Sequence, residues 1–377
     1  MERCLRFAVP APLGVESLVS YELKKLGLAD VKAENGRVLC TGSLKDIPRV
    51  NLNLRTGARL LIVLGSFPAR SFEELFQGAA ALPWEDYIPR EGRFPVKGYS
   101  LNSQLHAVPS CQAIVKKAVA QRLGRVYGLE TLPETGAMYQ IQFAIMKDQV
   151  DLMLDTSGEN LYKRGYRAQG VTAPLRETLA AAMVSLSRYR GKGPFCDPFC
   201  GSGTIPIEAA LIAKNRAPGL NRSFSAQKWA WLPSPFWMEA ADEAMDQEYH
   251  GTYEIWGGDI DPAAVELSRH NAELAEVDDV VKFEVADATR FHWGGLRGRV
   301  VTNPPYGERL MEKREAEELY RAFGKAWSKF PDGWQLYLLS SHTEFERTFG
   351  RTADKKRKLY NGMIKCDLFC YFQNQKG

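Results

Sequence analysis

From Thr172 to near its end, the sequence alternates short apolar runs with helix-forming stretches. This alternation is typical of a parallel β-sheet covered by helices, because parallel strands need a crossover connection, usually helical. The runs predict about seven strands in a sheet whose last two members, residues 357–360 and 364–372, form a hairpin closed by Asn361-Gly362. Residues 172–377 are therefore expected to form one α/β domain.

The loop after the first of these strands reads Asp-Pro-Phe-Cys-Gly-Ser-Gly-Thr. Its glycines let the backbone turn tightly and approach a ligand, and the following helix presents free N–H groups at its start. It is not a P-loop, because no Lys-Ser/Thr pair follows the glycines. An acidic residue at the strand end favours a cationic ligand, such as the ammonium of a methionine moiety. The candidate ligand contacts in this loop are Asp197, Pro198, Phe199, Cys200, Gly201, Ser202, Gly203 and Thr204.

Carboxylates also follow the second and third predicted strands of this domain. Asp259 is placed to bind both hydroxyl groups of a ribose. Ile260 and Asp261 belong to the same loop, and Asp261 is expected to cap the next helix. Asp287, followed by Ala288, can accept a hydrogen bond from an adenine amino group. Because the carboxyl ends of parallel strands share one edge, these carboxylates predict a nucleoside site there.

An insertion explains why Asp259 lies much farther from the glycines than the roughly 20 residues usual in nucleotide-binding folds. The sequence places this insertion at about residues 215–251. It is rich in aromatic side chains, for which a structural cap is the first interpretation and contact with a bound base the second. These side chains are Trp229, Trp231, Phe236 and Trp237.

The loop after the fourth strand is Asn303-Pro304-Pro305-Tyr306. Its prolines remove two N–H donors and hold the backbone extended, so that carbonyl oxygens point outward. The Asn303 side-chain oxygen and the Pro304 carbonyl can then accept from one exocyclic amino group, and Tyr306 can stack on its ring. Such a clamp would hold an aromatic amine in line with an electrophile. The alternative is a Pro-Pro turn with a surface tyrosine.

Two smaller α+β units precede this domain. Residues 1–65 show strand, helix, strand, helix and strand patterns, which predict a ferredoxin-like unit. Residues 66–157 predict a second unit closed by two strands that meet at Lys147-Asp148. Residues 158–171 have little apolar periodicity and are expected to form a linker.

Cationic side chains in the second unit and in the linker are candidates for nucleic-acid binding. In the linker they alternate with tyrosines, an arrangement that suits a phosphate backbone and unstacked bases. The alternative is a solvated basic face and a merely polar linker, since a net charge of +4 does not decide the matter. The candidates are Lys116, Lys117, Arg122, Arg125, Lys163, Arg164 and Arg167.

The seven cysteines are odd in number and scattered, which favours reduced thiols in a cytoplasmic protein over a disulfide framework. Cys196 and Cys200, like Cys366 and Cys370, have a spacing and placement that do not suit a zinc site, so no metal is expected. No apolar run approaches the roughly 20 residues that a membrane-spanning helix needs.

The four loops, in this order, resemble those of class I S-adenosylmethionine-dependent methyltransferases, whose fold is Rossmann-like. The Asn-Pro-Pro-Tyr loop resembles that of enzymes that methylate exocyclic amino nitrogens of adenine or guanine. The two N-terminal units and the run 161–181 resemble the bacterial THUMP-domain RNA methyltransferases. Within that group the chain is most similar to the large-subunit rRNA guanine-N2 methyltransferase family. Residues 66–157 would then be the THUMP domain.

This resemblance implies a role for each motif. The glycine loop, with Arg176 and Glu177, would border the methionine end of the cofactor, Asp259 the ribose and Asp287 the adenine. Asn303 would lie between the cofactor and the flipped base, which the rest of its loop would hold. The partner implied is RNA, either 23S rRNA or a large-subunit assembly intermediate. A tRNA guanine-N2 methyltransferase, an adenine-N6 methyltransferase and a non-catalytic assembly protein remain alternatives.

Overall fold

Residues 5–68 form the β-α-β-β-α-β order of a ferredoxin-like fold. The second strand was not predicted from the sequence, because the apolar residues that alternate with charges in ADVKAE are only two alanines and one valine, and none of its side chains is buried. As an edge strand, it pairs only with its neighbour in the sequence. The elements are β1 (Leu5–Pro10), α1 (Glu16–Lys25), β2 (Ala29–Glu34), β3 (Arg37–Gly42), α2 (Asp46–Asn53) and β4 (Leu61–Pro68).

The second unit contains two helices and three strands. Its long helix has a proline in the first turn and ends at Gly128, whose φ of +65° is a common helix stop. The predicted turn at Lys147-Asp148 has positive φ at both residues, as a two-residue hairpin requires. The elements are α3 (Phe72–Ala80), β5 (Val96–Leu101), α4 (Val108–Tyr127), β6 (Ile141–Met146) and β7 (Gln149–Asp155).

The two N-terminal units share one seven-stranded sheet, in the order β2-β3-β1-β4-β7-β6-β5. The junction is the antiparallel pair β4–β7, in which Leu61 lies opposite Asp155 and Pro68 opposite Gln149. The predicted boundary between residues 65 and 66 falls inside β4. The hydrogen bonds of this pair therefore join the first unit to the second.

A second seven-stranded sheet forms the C-terminal domain, as predicted. Its order is β10-β9-β8-β11-β12-β14-β13; the first five strands are parallel and the closing hairpin is antiparallel to them. The elements are α5 (Glu177–Leu186), β8 (Phe195–Asp197), α6 (Thr204–Ala213), α7 (Ser234–Asp246), β9 (Ile255–Asp259), α8 (Pro262–Leu274), β10 (Val281–Val285), β11 (Arg299–Thr302), α9 (Lys313–Trp327), β12 (Gln335–Ser340), α10 (Phe345–Phe349), β13 (Lys355–Asn361) and β14 (Ile364–Phe372).

This computed structural model describes residues 4–167, 175–295, 297–306 and 313–373. The predicted helix start at Pro174 and the end of the predicted linker, residues 168–171, lie outside the described residues. Among the described helices, none is long and apolar enough to cross a membrane. The same part of the chain contains no group of three or more potential metal-ligating side chains.

The insertion packs between the two halves of the molecule. The Trp229 indole donates a hydrogen bond to the Met138 carbonyl (2.8 Å) and stacks on Tyr139. The Trp231 indole donates to the Tyr87 carbonyl (2.8 Å). These contacts agree with the structural interpretation of the aromatic cluster and leave both indole N–H groups occupied within the protein.

Candidate functional site

The glycine loop opens toward the carboxyl edge of the C-terminal sheet. Gly201 and Gly203 have backbone φ angles of +52° and +81°, in a region that residues with a Cβ atom rarely adopt. A Cβ at Gly203 would press on Phe283 and Ser268 at 3.0 Å, whereas nothing lies within 4 Å of one at Gly201. Gly203 is therefore needed for packing, and Gly201 leaves the backbone accessible on its open side.

Asp197 is buried beneath this loop, with 1% of its surface exposed. Its carboxylate accepts hydrogen bonds from the Thr302 hydroxyl (2.5 Å) and the Phe199 backbone N–H (3.1 Å). Burial raises the pKa of Asp197 to about 7, and nearby Asp259 adds to the rise while the hydrogen bonds oppose it. These bonds tie the end of β8 to the end of β11, directly before Asn303.

The predicted carboxylates after β9 and β10 lie at the same edge as the glycine loop. Asp259 accepts from the Gly201 N–H (2.9 Å) and from the Asp261 N–H (3.0 Å), which fixes its orientation beside the loop. Asp261 accepts from the Ala263 N–H and caps α8, as predicted. Asp287 accepts from the backbone and hydroxyl of Thr289, and these bonds lower the pKa of Asp287.

Two apolar side chains beside these carboxylates are open to solvent. Ile260 is 72% exposed and Val285 is 55% exposed. Val285 pairs in register with Asp259, so both belong to the same edge. Ile260 was among the predicted site residues, whereas Val285 was not, because a valine at the end of a predicted strand gives no sign of exposure.

The Asn303–Tyr306 loop is held by contacts on two sides. The Tyr306 hydroxyl donates to the Asn303 side-chain oxygen, and the Cys366 thiol on β14 lies 3.8 Å from that hydroxyl. Tyr320 on α9 donates to the Pro305 carbonyl. Burial raises the pKa of Tyr306 well above its usual value, so this hydroxyl remains a donor.

The Tyr306 contact fixes the orientation of the Asn303 amide. An amide oxygen has two lone pairs, so Asn303 can accept a second hydrogen bond from a ligand amine while Tyr306 occupies the first. The predicted stacking of Tyr306 on a ligand ring stays a prediction. The structure adds an orienting role for this tyrosine that the sequence analysis did not include.

Arg164 is not an RNA contact in this structure, which corrects the prediction. Only 2% of its side chain is exposed, and its guanidinium pairs with Glu208 at 3.3 Å. It also donates to the Leu161 carbonyl (2.8 Å) and the Arg55 carbonyl (2.6 Å). The cause is Glu208, which lies on the fully buried face of α6 and needs a cation beside it.

Arg167 also faces the protein rather than open solvent. Its guanidinium donates to the Thr204 hydroxyl (3.1 Å) at the end of the glycine loop and forms an ion pair with Glu177 (3.1 Å). Burial raises the pKa of Glu177 to about 7, although the Arg167 charge opposes the rise. The predicted linker therefore packs against the glycine loop, and the expected position of Glu177 near it agrees with the structure.

The four cations predicted along α4 divide into two pairs. Lys116 is bound to Glu134 (2.6 Å) and lies over the Phe94 ring, while Arg122 is bound to Glu85. Lys117 and Arg125 are exposed, and neither forms an ion pair with any described residue. Lys163, in the segment before Arg164, is exposed but bound to Glu159 (2.7 Å).

The fold and the strand-end site define a class I methyltransferase domain, which follows a ferredoxin-like unit and a THUMP domain along the chain. The chain belongs to the RMKL-like methyltransferase family, whose domain matches residues 164–369. Residues 6–61 match the RlmL ferredoxin-like domain, and residues 69–155 match the THUMP domain. The predicted domain types are thereby confirmed, and family membership identifies S-adenosylmethionine as the cofactor.

Several relatives are similar over most of the chain. "Putative RNA methyltransferase YpsC" of Bacillus subtilis is 43% identical over 365 residues, covering 96% of this chain and 94% of that protein. "Ribosomal RNA large subunit methyltransferase K/L" of Syntrophotalea carbinolica is 34% identical over 387 residues, covering 98% of this chain and 53% of its own length. The chain thus spans about half the length of the K/L relatives.

Solved structures support the same fold. SMU.472, crystallised in complex with SAH, has a TM-score of 0.92 and 42% identity, with full coverage of both chains. A protein from Listeria monocytogenes, described as a predicted N6-adenine-specific DNA methylase, has a TM-score of 0.92 and 45% identity, covering 98% of this chain and 96% of that one.

The residues at the sheet edge fit S-adenosylmethionine. Asp259 offers a carboxylate at the tip of β9, where ribose hydroxyls bind in nucleotide folds. Ile260 and Val285 offer exposed apolar surface for an adenine ring. The open side of Gly201 leaves room for a ligand against the backbone.

Proposed function

We propose that this protein methylates the N2 amino group of guanine in large-subunit (23S) rRNA. The observation that carries the proposal is the oriented Asn303 amide at the end of β11, next to β8 and its glycine loop. An acceptor at this point can bind an exocyclic amine beside the cofactor site. The family membership and the THUMP domain support RNA as the substrate, and the K/L relatives support the large ribosomal subunit.

In this proposal each residue binds or orients rather than reacts. Asp259 would hold the ribose, Asp287 the adenine amino group, and the glycine loop the methionine end of the cofactor. When bound, S-adenosylmethionine supplies an electrophilic methyl group. Asn303 would accept from the guanine amino group and direct its nitrogen toward that methyl group. Since the amine must leave its base pair to reach Asn303, the base would be flipped or already unpaired.

The clamp alone accepts either a guanine or an adenine amine, because both present the same donor. The name of the Listeria structure keeps adenine N6 as a second candidate. The name of the YpsC relative, which specifies RNA but no base, is compatible with both.

Methyl transfer from labelled S-adenosylmethionine tests the proposal. The acceptors are rRNA, tRNA and large-subunit assembly particles from cells that lack the gene, with RNA from wild-type cells and DNA as controls. Nucleoside mass spectrometry is expected to find N2-methylguanosine in 23S rRNA. Label in tRNA, or label as N6-methyladenosine, would replace the proposed substrate while keeping the domain's chemistry.

The Asn303→Ala variant tests the site separately. We expect it to lower kcat by about 100-fold or more, as removal of a positioned hydrogen-bond group at a reacting centre does. Its affinity for S-adenosylhomocysteine should change little. Asn53→Ala is the matched control, since Asn53 donates only to the Arg49 carbonyl on α2. If Asn303→Ala keeps full activity, the clamp assignment is wrong.

A further inference from the structure

The β13–β14 hairpin projects past the edge of the sheet that carries the site. Ser340, the last residue of β12, lies opposite Asp367 on β14, so residues 364–366 extend beyond the end of β12. At about 3.4 Å per residue, the turn lies roughly 13 Å past this edge. β12 runs parallel to β11, so the hairpin projects on the same side as Asn303.

The stem of this hairpin forms a wall of the clamp. The Cys366 thiol lies 3.8 Å from the Tyr306 hydroxyl, and the Asn361 side chain interacts with the same hydroxyl group. On the N-terminal side, the Arg357 guanidinium donates to the Gly14 carbonyl (2.9 Å). The stem is thus held between the clamp and the first unit of the N-terminal sheet.

The turn itself carries an apolar side chain with no protein contact of consequence. Residues Asn361 and Ile364 pair, so Gly362 and Met363 form the two-residue loop. Gly362 has a φ of +64°, which suits the first position of such a turn. Met363 is 97% exposed, although polar residues and glycine are the usual choice in turns.

Cations flank this methionine along the stem. Lys358 and Lys365 are exposed, and neither forms an ion pair with a described residue, although Lys358 lies opposite Asp367 in the ladder. Lys356, in contrast, is bound to Glu346 at 2.7 Å. Met363 thus forms an apolar tip beyond two cations that share one face of the hairpin, the face opposite Cys366. An apolar tip followed by cations matches the chemistry of a nucleic-acid strand with unstacked bases.

We propose that Met363 is an apolar wedge that contacts the bases next to the target nucleotide, while Lys358 and Lys365 bind the flanking phosphates. This inference rests on the proposed RNA methyltransferase function. Removing one base from a stack leaves its neighbours without partners, and an inserted apolar side chain replaces the lost contact. The rigid stem sets the wedge at a fixed position relative to Asn303.

The test compares Met363→Ala with Met363→Leu in single-turnover methylation of the RNA that accepts label in the assay described above. We expect Met363→Ala to lower kcat/KM about tenfold when the target lies in a helix, a loss of the size seen for one stacking contact. Met363→Leu should retain most of the activity, because it keeps an apolar side chain. With a short single-stranded RNA around the target, the loss should shrink to about twofold or less, since no stack must open.

Two controls separate a wedge from a structural role. Met238→Ala removes another exposed methionine, on α7, and should change nothing. The affinity for S-adenosylhomocysteine and the melting temperature should be the same in all variants. Lys358→Ala combined with Lys365→Ala should reduce the salt dependence of RNA binding by about one to two in log–log slope.

The outcomes distinguish this inference from the function on which it rests. If the wild-type protein methylates no RNA, the proposed function fails. If the wild type methylates RNA and Met363→Ala equals it on structured RNA, only the wedge is wrong. An equal loss on structured and single-stranded RNA would likewise overturn the wedge and assign Met363 to general RNA affinity.

Discussion

The two halves of the molecule use their charged side chains differently. In the C-terminal sheet, Asp197, Asp259 and Asp287 follow three strands and meet at one edge. In the N-terminal sheet and the segment after it, cations are divided among buried ion pairs, surface pairs and open solvent. Parallel strands dictate where their ends lie, so their loops converge on one site. A helix surface imposes no such convergence, and each cation there has to be judged by its partners.

The largest effect should come from breaking the buried ion pair. Glu208→Ala leaves the buried Arg164 charge without its anionic partner, which costs about 3–5 kcal/mol in the free energy of unfolding. Urea unfolding followed by tryptophan fluorescence measures this loss. Lys163→Ala removes an exposed cation of the same segment, four residues before Arg167, and should leave the unfolding midpoint unchanged. Equal midpoints for wild type and Glu208→Ala would show that the pair is not structural.

The second prediction concerns the release of a proton from Asp197 when the cofactor binds. Because the pKa of Asp197 is raised to about 7, this group favours folding fully below pH 4, and the contribution is lost as the pH rises through 7. A cationic ligand beside it favours the carboxylate, so binding of S-adenosylmethionine should release a proton near pH 6.5. As the pH is raised toward 7, the affinity of the protein for S-adenosylmethionine should increase by up to about tenfold per pH unit. Above pH 7 the affinity should level off.

Calorimetric titration in two buffers with different ionisation enthalpies counts the released protons. Asp197→Asn should abolish the release. Glu177→Gln is the matched variant, because the pKa of Glu177 is also raised to about 7. If only Glu177→Gln changes the count, the cationic end of the cofactor lies beside Glu177 instead of Asp197.

The smallest effect is expected on α4, where the comparison can be sharpened within one helix. Lys117→Ala and Arg125→Ala should each weaken RNA binding a few-fold and reduce its salt slope by about one, as the loss of one phosphate contact does. Arg122→Ala, whose guanidinium is bound to Glu85, should change the slope less. If all three variants had the same salt slope as the wild type, α4 would be a solvated face with no role in RNA binding.

Local patterns indicated where the candidate site residues lie along the chain but not the contacts between distant segments. Asp259, Asp287 and Asn303 could be proposed as site residues because each lies within two residues of the end of a predicted strand. The burial of Arg164 in an ion pair could not be predicted, because its partner Glu208 lies 44 residues further along the chain. One signal was available: a glutamate within the apolar helix TIPIEAALIA requires a buried cation.

The same limit applies to the fold. Five strands of the C-terminal sheet were predictable because each buries a run of consecutive residues, namely β8, β9, β11, β12 and β14. β10 has an alternating pattern instead, and β13 was indicated by the Asn361-Gly362 turn. β2 was not predicted, because its alternating apolar residues are few and small, and none of them is buried. The partners of Trp229 and Trp231 are backbone carbonyls 91 and 144 residues away, and no sequence pattern marks a carbonyl.

The shared strand β4 bears on how this protein can be divided. Its residues 61–63 and 65–68 pair with β7, while Leu61 and Ile62 also pair with β1. A fragment starting at residue 69 would keep the THUMP sequence match but leave one side of β7 with unpaired backbone groups, an edge that invites aggregation. An isolated RNA-binding fragment should therefore begin before Leu61, and chimaeras with related proteins should exchange both N-terminal units together.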